Sequence, residues 1–185
     1  MGRHTLLAVA AILVASATAP SVASAGVRLA LVDGTPAPQR FQRWVDRAAI
    51  PAPARTVTLH IAACPGGPAW AGGCALPQGK EVYVLPHAAG PHVLFHELGH
   101  VFDATELTMP RRKAFQRVVG RPGPWRGAPE VDPPIEQFAE AYSLCARKPA
   151  IAEREFAMYG YSPTPRMHAR VCALITRASG RARAS

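Results

Sequence analysis

The chain has 185 residues, 49% of them hydrophobic and 18% charged, with a net charge of +9 and a pI of about 10.1. That length gives one domain a real core but does not comfortably serve two. The basic excess is scattered, much of it in the C-terminal "TRASGRARAS", and no aromatic residues interleave it, so no nucleic-acid surface is expected.

Arg3 and His4 precede an apolar run, Leu6–Ala19, and Ala23-Ser24-Ala25 supplies a small-x-small cleavage pattern. This is the layout of a secretory signal peptide cleaved after Ala25. A bilayer span needs about 20 apolar residues; this run is shorter and nothing later replaces it, so stable membrane insertion is not expected. The expected location is extracellular or in the cell envelope. The expected mature unit is one domain, residues 26–185, with a basic tail from about residue 177 that need not be ordered.

Residues 38–49 place Phe41, Trp44, Val45 and Ala48 at helical spacing, and Pro51 and Pro53 end that helix. Residues 55–63, "RTVTLHIAA", alternate and are rich in β-branched side chains, as a strand would be. A Gly/Pro-rich loop follows, and then a second strand at 80–86, "KEVYVLP". A helix is predicted from Pro91 to Asp103, with proline suited to its first turn. Further helices are predicted at 110–120, ended by Gly120, at 135–147, stopped by Pro149, and at 163–178. A helix, two or more strands and then mostly helices make an α+β chain.

Four cysteines in an exported chain favour two disulfides. Cys64 and Cys74 flank "CPGGPAWAGGC", a loop able to bring its ends together. Cys145 and Cys172 each sit in a helical segment near the C-terminus. Of the three possible pairings, Cys64–Cys74 with Cys145–Cys172 is the one expected. No C-x-x-C pair supports a cysteine zinc site.

The 91–103 helix carries His96-Glu97-Leu98-Gly99-His100, an H-E-x-x-H pentapeptide. Two histidines four apart lie one above the other on a helix face and can bind one ion together. Glu97 points about 100° away, so it can reach a water at the metal without taking a coordination position. Zinc acidifies such a water, and a glutamate can take its proton and later deliver it to a leaving amine. Gly99 leaves room for another element to approach the helix. The strand Glu81–Leu85, read as an exposed edge beside the metal, could bind an extended substrate by main-chain hydrogen bonds.

A catalytic zinc takes three protein ligands and keeps one position open. Two candidates exist for the third. Glu106 completes H-E-x-x-H-x-x-D-x-x-E, a spacing similar to that of metzincins, which place glycine where this chain has Asp103. Glu136 and Glu140 are four apart on the 135–147 helix, so both carboxylates share one face. One of them could bind zinc while the other holds a ligand imidazole.

"HELGHVFD", followed by "EQFAEAY", resembles the gluzincin branch of zinc peptidases. It is most similar to the catalytic domain of the anthrax-toxin lethal factor family, with its H-E-[LFI]-G-H-x-x-D and E-x-F-A-E-A-[FY] patterns. The resemblance covers roughly residues 80–145. It implies a zincin-like fold, with a small sheet above the active-site helix and a mostly helical C-terminal half. It implies one zinc ion on His96, His100 and Glu136, Glu97 as general base, and Asp103 and Glu140 orienting the ligand histidines. The family's tyrosine ahead of the glutamate helix, which stabilises the oxyanion, has no counterpart in "WRGAPEVDPP". Tyr142, Tyr159, Tyr161 and His168 are the substitutes, with Tyr159 and Tyr161 in "YGYSPTP" preferred. The expected function is a secreted zinc metalloendopeptidase acting on a peptide or protein substrate. The alternative is a zinc-binding or envelope-interaction protein that keeps the fold with little or no turnover.

Overall fold

The structure, a computed structural model, describes residues 27–181 apart from 54, 69, 70, 77, 79 and 128–131. The expected signal peptide and its cleavage point lie outside the described residues. The element order is β1 (Arg28–Ala30), α1 (Gln39–Asp46), β2 (Thr56–His60), β3 (Gly73–Ala75), β4 (Glu81–Val84), α2 (Pro91–Glu106), α3 (Met109–Val119), α4 (Pro134–Arg147) and α5 (Pro165–Arg181). This is an α+β arrangement. Among the described residues no helix is long and apolar enough to cross a membrane.

The four strands form one sheet in the order β1-β2-β4-β3. β1, β2 and β4 run parallel, and β3 pairs antiparallel with β4. Leu29, Val57, Leu59, Val82 and Val84 alternate onto one face and are fully buried there. The opposite face carries Thr58, His60, Glu81 and Tyr83, all half-buried. On the buried side α2 lies against β3 and β4 and packs most extensively on α4. Phe41 and Val45 of α1, spaced by four, add the apolar stripe of that helix to the same core.

The expected edge strand is corrected here. Glu81–Val84 sits between β2 and β3, so its main chain is paired on both sides. The edge on this side of the sheet belongs to Gly73–Ala75, which carries Cys74 of the Cys64–Cys74 disulfide. β3 has no β-branched or aromatic residue, so β propensity does not mark it. What sets it there is tertiary. A Cβ on Gly73 would lie 2.6 Å from the Tyr83 carbonyl oxygen, 2.9 Å from Val93 Cγ1 and 3.1 Å from Glu97 Cγ. Only glycine lets this strand pass between β4 and α2.

Gly99 does the same for the helices. A Cβ there would lie 2.8 Å from Ala139 Cα and 3.1 Å from Tyr142 Cβ, so α2 and α4 touch backbone to backbone. Gly99→Ala gains about 1 kcal/mol of helix propensity, yet the collision is with main chain that cannot swing aside. Overpacking of this kind costs about 1–3 kcal/mol. The variant is expected to unfold at lower urea than the wild type. An unchanged midpoint would mean that the two helices part freely.

α4 is buried all along Gln137–Ala146, polar residues included, because α2 and α5 cover it on different sides. Cys145–Cys172 bridges α4 to α5 with a Cα–Cα distance of 5.5 Å, and Cys64–Cys74 closes its loop at 5.8 Å. Both expected pairings are present, and disulfides of this kind persist in oxidising surroundings. Trp125 meets Phe115 and Phe138 ring to ring, which anchors the loop between α3 and α4. The helix predicted to end at 178 continues to Arg181. Arg111 donates to the Ala178 carbonyl at 2.8 Å and to the Arg177 carbonyl at 3.1 Å, satisfying acceptors near that helix end.

Candidate metal centre

Pro91 opens α2 at its first turn, and the helix runs without a break through Asp103 to Glu106. The 3.6-residue period therefore sets His92, His96 and His100 on one face. α4 answers with Glu136 and Glu140, one turn apart. The two rows interlock. His96 Nε2 lies 3.1 Å and His100 Nε2 3.3 Å from Glu136 Oε2. His96 Nδ1 lies 3.3 Å from Glu140 Oε2, and His92 Nε2 lies 2.9 Å and 3.1 Å from its two oxygens.

His96, His100 and Glu136 each offer one ligand atom, and these atoms lie within 4.8 Å of one another. A tetrahedral zinc with bonds of about 2.0–2.1 Å keeps its ligand atoms about 3.3 Å apart. The two N···O separations, 3.1 Å and 3.3 Å, match that spacing. Two imidazoles and one carboxylate also suit a borderline-soft cation that keeps an open position.

The charges agree with this layout. Burial works against a charged His96, but its hydrogen bonds to Glu136 and Glu140 outweigh that and push it up to about 9. Burial likewise opposes ionised Glu136, and the two histidines hold it far below the usual carboxylate range. His92 and His96 bring Glu140 down to about 2 against the same burial effect. Glu140 is therefore an ionised acceptor, so the ring nitrogens facing it are donors. Glu136 faces Nε2 in the same way, so both nitrogens of His96 are donors here; a metal at Nε2 would displace that proton and leave the one on Nδ1, facing Glu140.

Glu97 is 5% exposed, and among the described residues its buried Oε2 has no hydrogen-bond partner. Burial pushes its carboxyl above the usual glutamate range, while His96, His100 and the Ala75 N–H pull the other way. Its charge interacts with those of His96, His100 and Glu136, the three residues of the cluster. The Ala75 contact also ties Glu97 to the edge strand β3.

The other sequence candidates fall as follows. Glu106 is six residues beyond His100 on an unbroken helix, which places it about 9 Å further along and about 240° round. It does not join the cluster. Asp103 does not orient a histidine: its Oδ1 accepts from Arg112 Nε at 2.7 Å, and its carbonyl accepts from the same guanidinium. α3 brings Arg112 there, and the salt bridge holds this end of α2 helical. Tyr142 donates to the Pro51 carbonyl at 3.1 Å, away from the cluster. His168 lies 2.7 Å from the Lys148 carbonyl and packs on Cys172, whose sulfur is held in the disulfide.

The two tyrosines of the 159–165 loop part company. Tyr161 is buried at 2% exposure. Tyr159 packs against His96, with ring centroids 4.9 Å apart and the planes tilted by 30°. Its backbone is left-handed, φ 55°, followed by Gly160 at φ 64°. For a bulky residue that conformation costs on the order of 1–3 kcal/mol and clusters at functional sites. Burial and the charges of Glu136 and Glu97 push its hydroxyl up to about 12, so it is a protonated donor at neutral pH.

His92 is the residue the sequence reading passed over. Its signal was its position four residues before His96 on the same helix.

No family model matches this chain, and neither does any curated protein or solved structure. The site stands on its own geometry.

Proposed function

We propose that this chain is an exported zinc-dependent peptidase of gluzincin type, cutting peptide bonds in a peptide or protein substrate. The observation that carries the proposal is the meeting of His96 Nε2, His100 Nε2 and Glu136 Oε2 beside the unpartnered Oε2 of Glu97. Bound there, zinc would supply Lewis acidity and bring the pKa of water towards 7.

The rest is work for the chain's own residues. Glu97 takes a proton from the attacking water and hands it to the leaving amine. Glu140 holds His96 by Nδ1 in the tautomer the site requires. Tyr159, over the His96 ring, is the hydroxyl donor for the developing oxyanion. The substrate lies along β3. Leu85 N–H donates to the Gly72 carbonyl and Leu76 N–H to the Glu81 carbonyl, so Gly72 and Leu76 face β4. Antiparallel alternation then turns Cys74 to β4 as well and directs Gly73 and Ala75 away from β4, where the Ala75 N–H is taken by Glu97 and the Gly73 groups and the Ala75 carbonyl face the edge. An extended peptide can add there as a further strand.

The test is cleavage of a peptide library by the purified secreted chain, with its metal content measured in parallel. Activity should vanish with chelator and return with zinc. Chelator-insensitive cleavage, or a chain that takes up no zinc, would overturn the proposal. Within it, Tyr159→Phe is expected to keep zinc and lower kcat about 10²–10³-fold, the usual loss for one oxyanion donor. Tyr161→Phe is expected to leave kcat near wild type. Equal losses in both would make the loop structural.

A further inference from the structure

We infer that the metal-holding unit extends one helical turn beyond the pentapeptide, with His92 as the positioning residue that fixes Glu140. This rests on the metal reading above. Glu140 is 2% exposed, so water does little to satisfy it. Its Oε2 receives both His96 Nδ1 and His92 Nε2, while Oε1 receives His92 Nε2 at 3.1 Å. His92 thus grips the carboxylate at both oxygens and fixes its plane, whereas His96 touches one.

His92 is itself held. Pro91 places it in the first turn of α2, and Ser143 Oγ, on α4, donates to its carbonyl at 2.9 Å. The result is an alternating row across the two helices: His100, Glu136, His96, Glu140, His92. Without His92, Oε1 would lose that donor inside a buried pocket. An unsatisfied buried carboxylate oxygen is costly, and the group would turn to find water. The His96 ring would then lose the partner that sets its orientation and its proton. His92 never needs to touch the metal to act in this way.

A plain structural contact between α2 and α4 would show in folding and not in the metal. The experiment is therefore zinc affinity by chelator competition on the folded, disulfide-intact full chain, for wild type, His92→Ala and His92→Gln. Glutamine keeps an N–H donor near the position of Nε2. His92→Ala should weaken zinc binding about 10–100-fold, the usual effect of losing a partner of a ligand. His92→Gln should recover most of that. The visible absorption of the cobalt-substituted protein should change in His92→Ala and return towards wild type in His92→Gln.

Wild-type affinity in His92→Ala would overturn the inference, and so would a His92→Gln chain as weak as His92→Ala. If His92→Ala does not fold, His92→Phe, which keeps ring volume without the donor, takes its place with the same two outcomes. A wild-type chain that binds no zinc overturns the metal reading, and this inference with it. A wild type that binds tightly while His92→Ala binds equally overturns this inference alone.

Discussion

Glu97→Gln is expected to keep zinc and lose hydrolysis by at least about a hundredfold, since general-base help is typically worth 10²–10⁴. The amide fills the same space and removes the group that accepts the proton. Glu97 is held by burial between β3 and α2, and its Oε2 has no other partner in the structure, so no hydrogen bond to that oxygen is broken. The measurement is kcat/KM on a cleaved peptide together with metal content after dialysis. Zinc near stoichiometric with activity lost assigns Glu97 to proton transfer. Zinc and activity falling together would make the residue part of the metal site. Full activity would remove the mechanism.

Glu136→Ala is expected to bind zinc severely more weakly and to abolish turnover, while Glu106→Ala leaves zinc near stoichiometric. The separations decide this. Glu136 Oε2 lies within 3.3 Å of both ligand nitrogens. Glu106 sits at the end of the same helix as the histidines, where its side-chain contact is Thr105 and its carbonyl takes Arg111. Losing one of three ligands leaves two imidazoles, too few for a retained catalytic zinc. Glu140→Ala should fall between, at about 10–100-fold in affinity. Dialysed metal content for the three variants gives the ranking. Zinc lost from Glu106→Ala alone would assign the third ligand to α2 and reject the gluzincin reading.

How much of this could be read from the residues alone follows the range of each interaction. His96 and His100 share a face because a helix has a fixed period, and the apolar and β-branched patterns set five helices and two of the four strands to within a few residues. The disulfide pairs were legible because a Gly/Pro loop between cysteines ten positions apart closes on itself and left only two cysteines over. β1 has three residues and β3 reads Gly-Cys-Ala, too short or too plain for any pattern to mark. The order of strands was not legible either, so the edge was assigned to β4, which the structure pairs on both sides.

What the sequence determined by itself is local: the two histidines and their glutamate on one helix, the paired glutamates on another, and the cysteines that join. The tertiary structure alone decided which of these meet. It brought Glu136 to the histidines because Gly99 lets α2 and α4 touch, and it kept Glu106 away because Arg112 on α3 takes Asp103 and the helix never turns. It set the Tyr159 ring against His96 and buried Tyr161, through a left-handed backbone that no spacing announces. Periodicity acts through bonds a few residues long, whereas these choices depend on distant segments competing for the same buried volume.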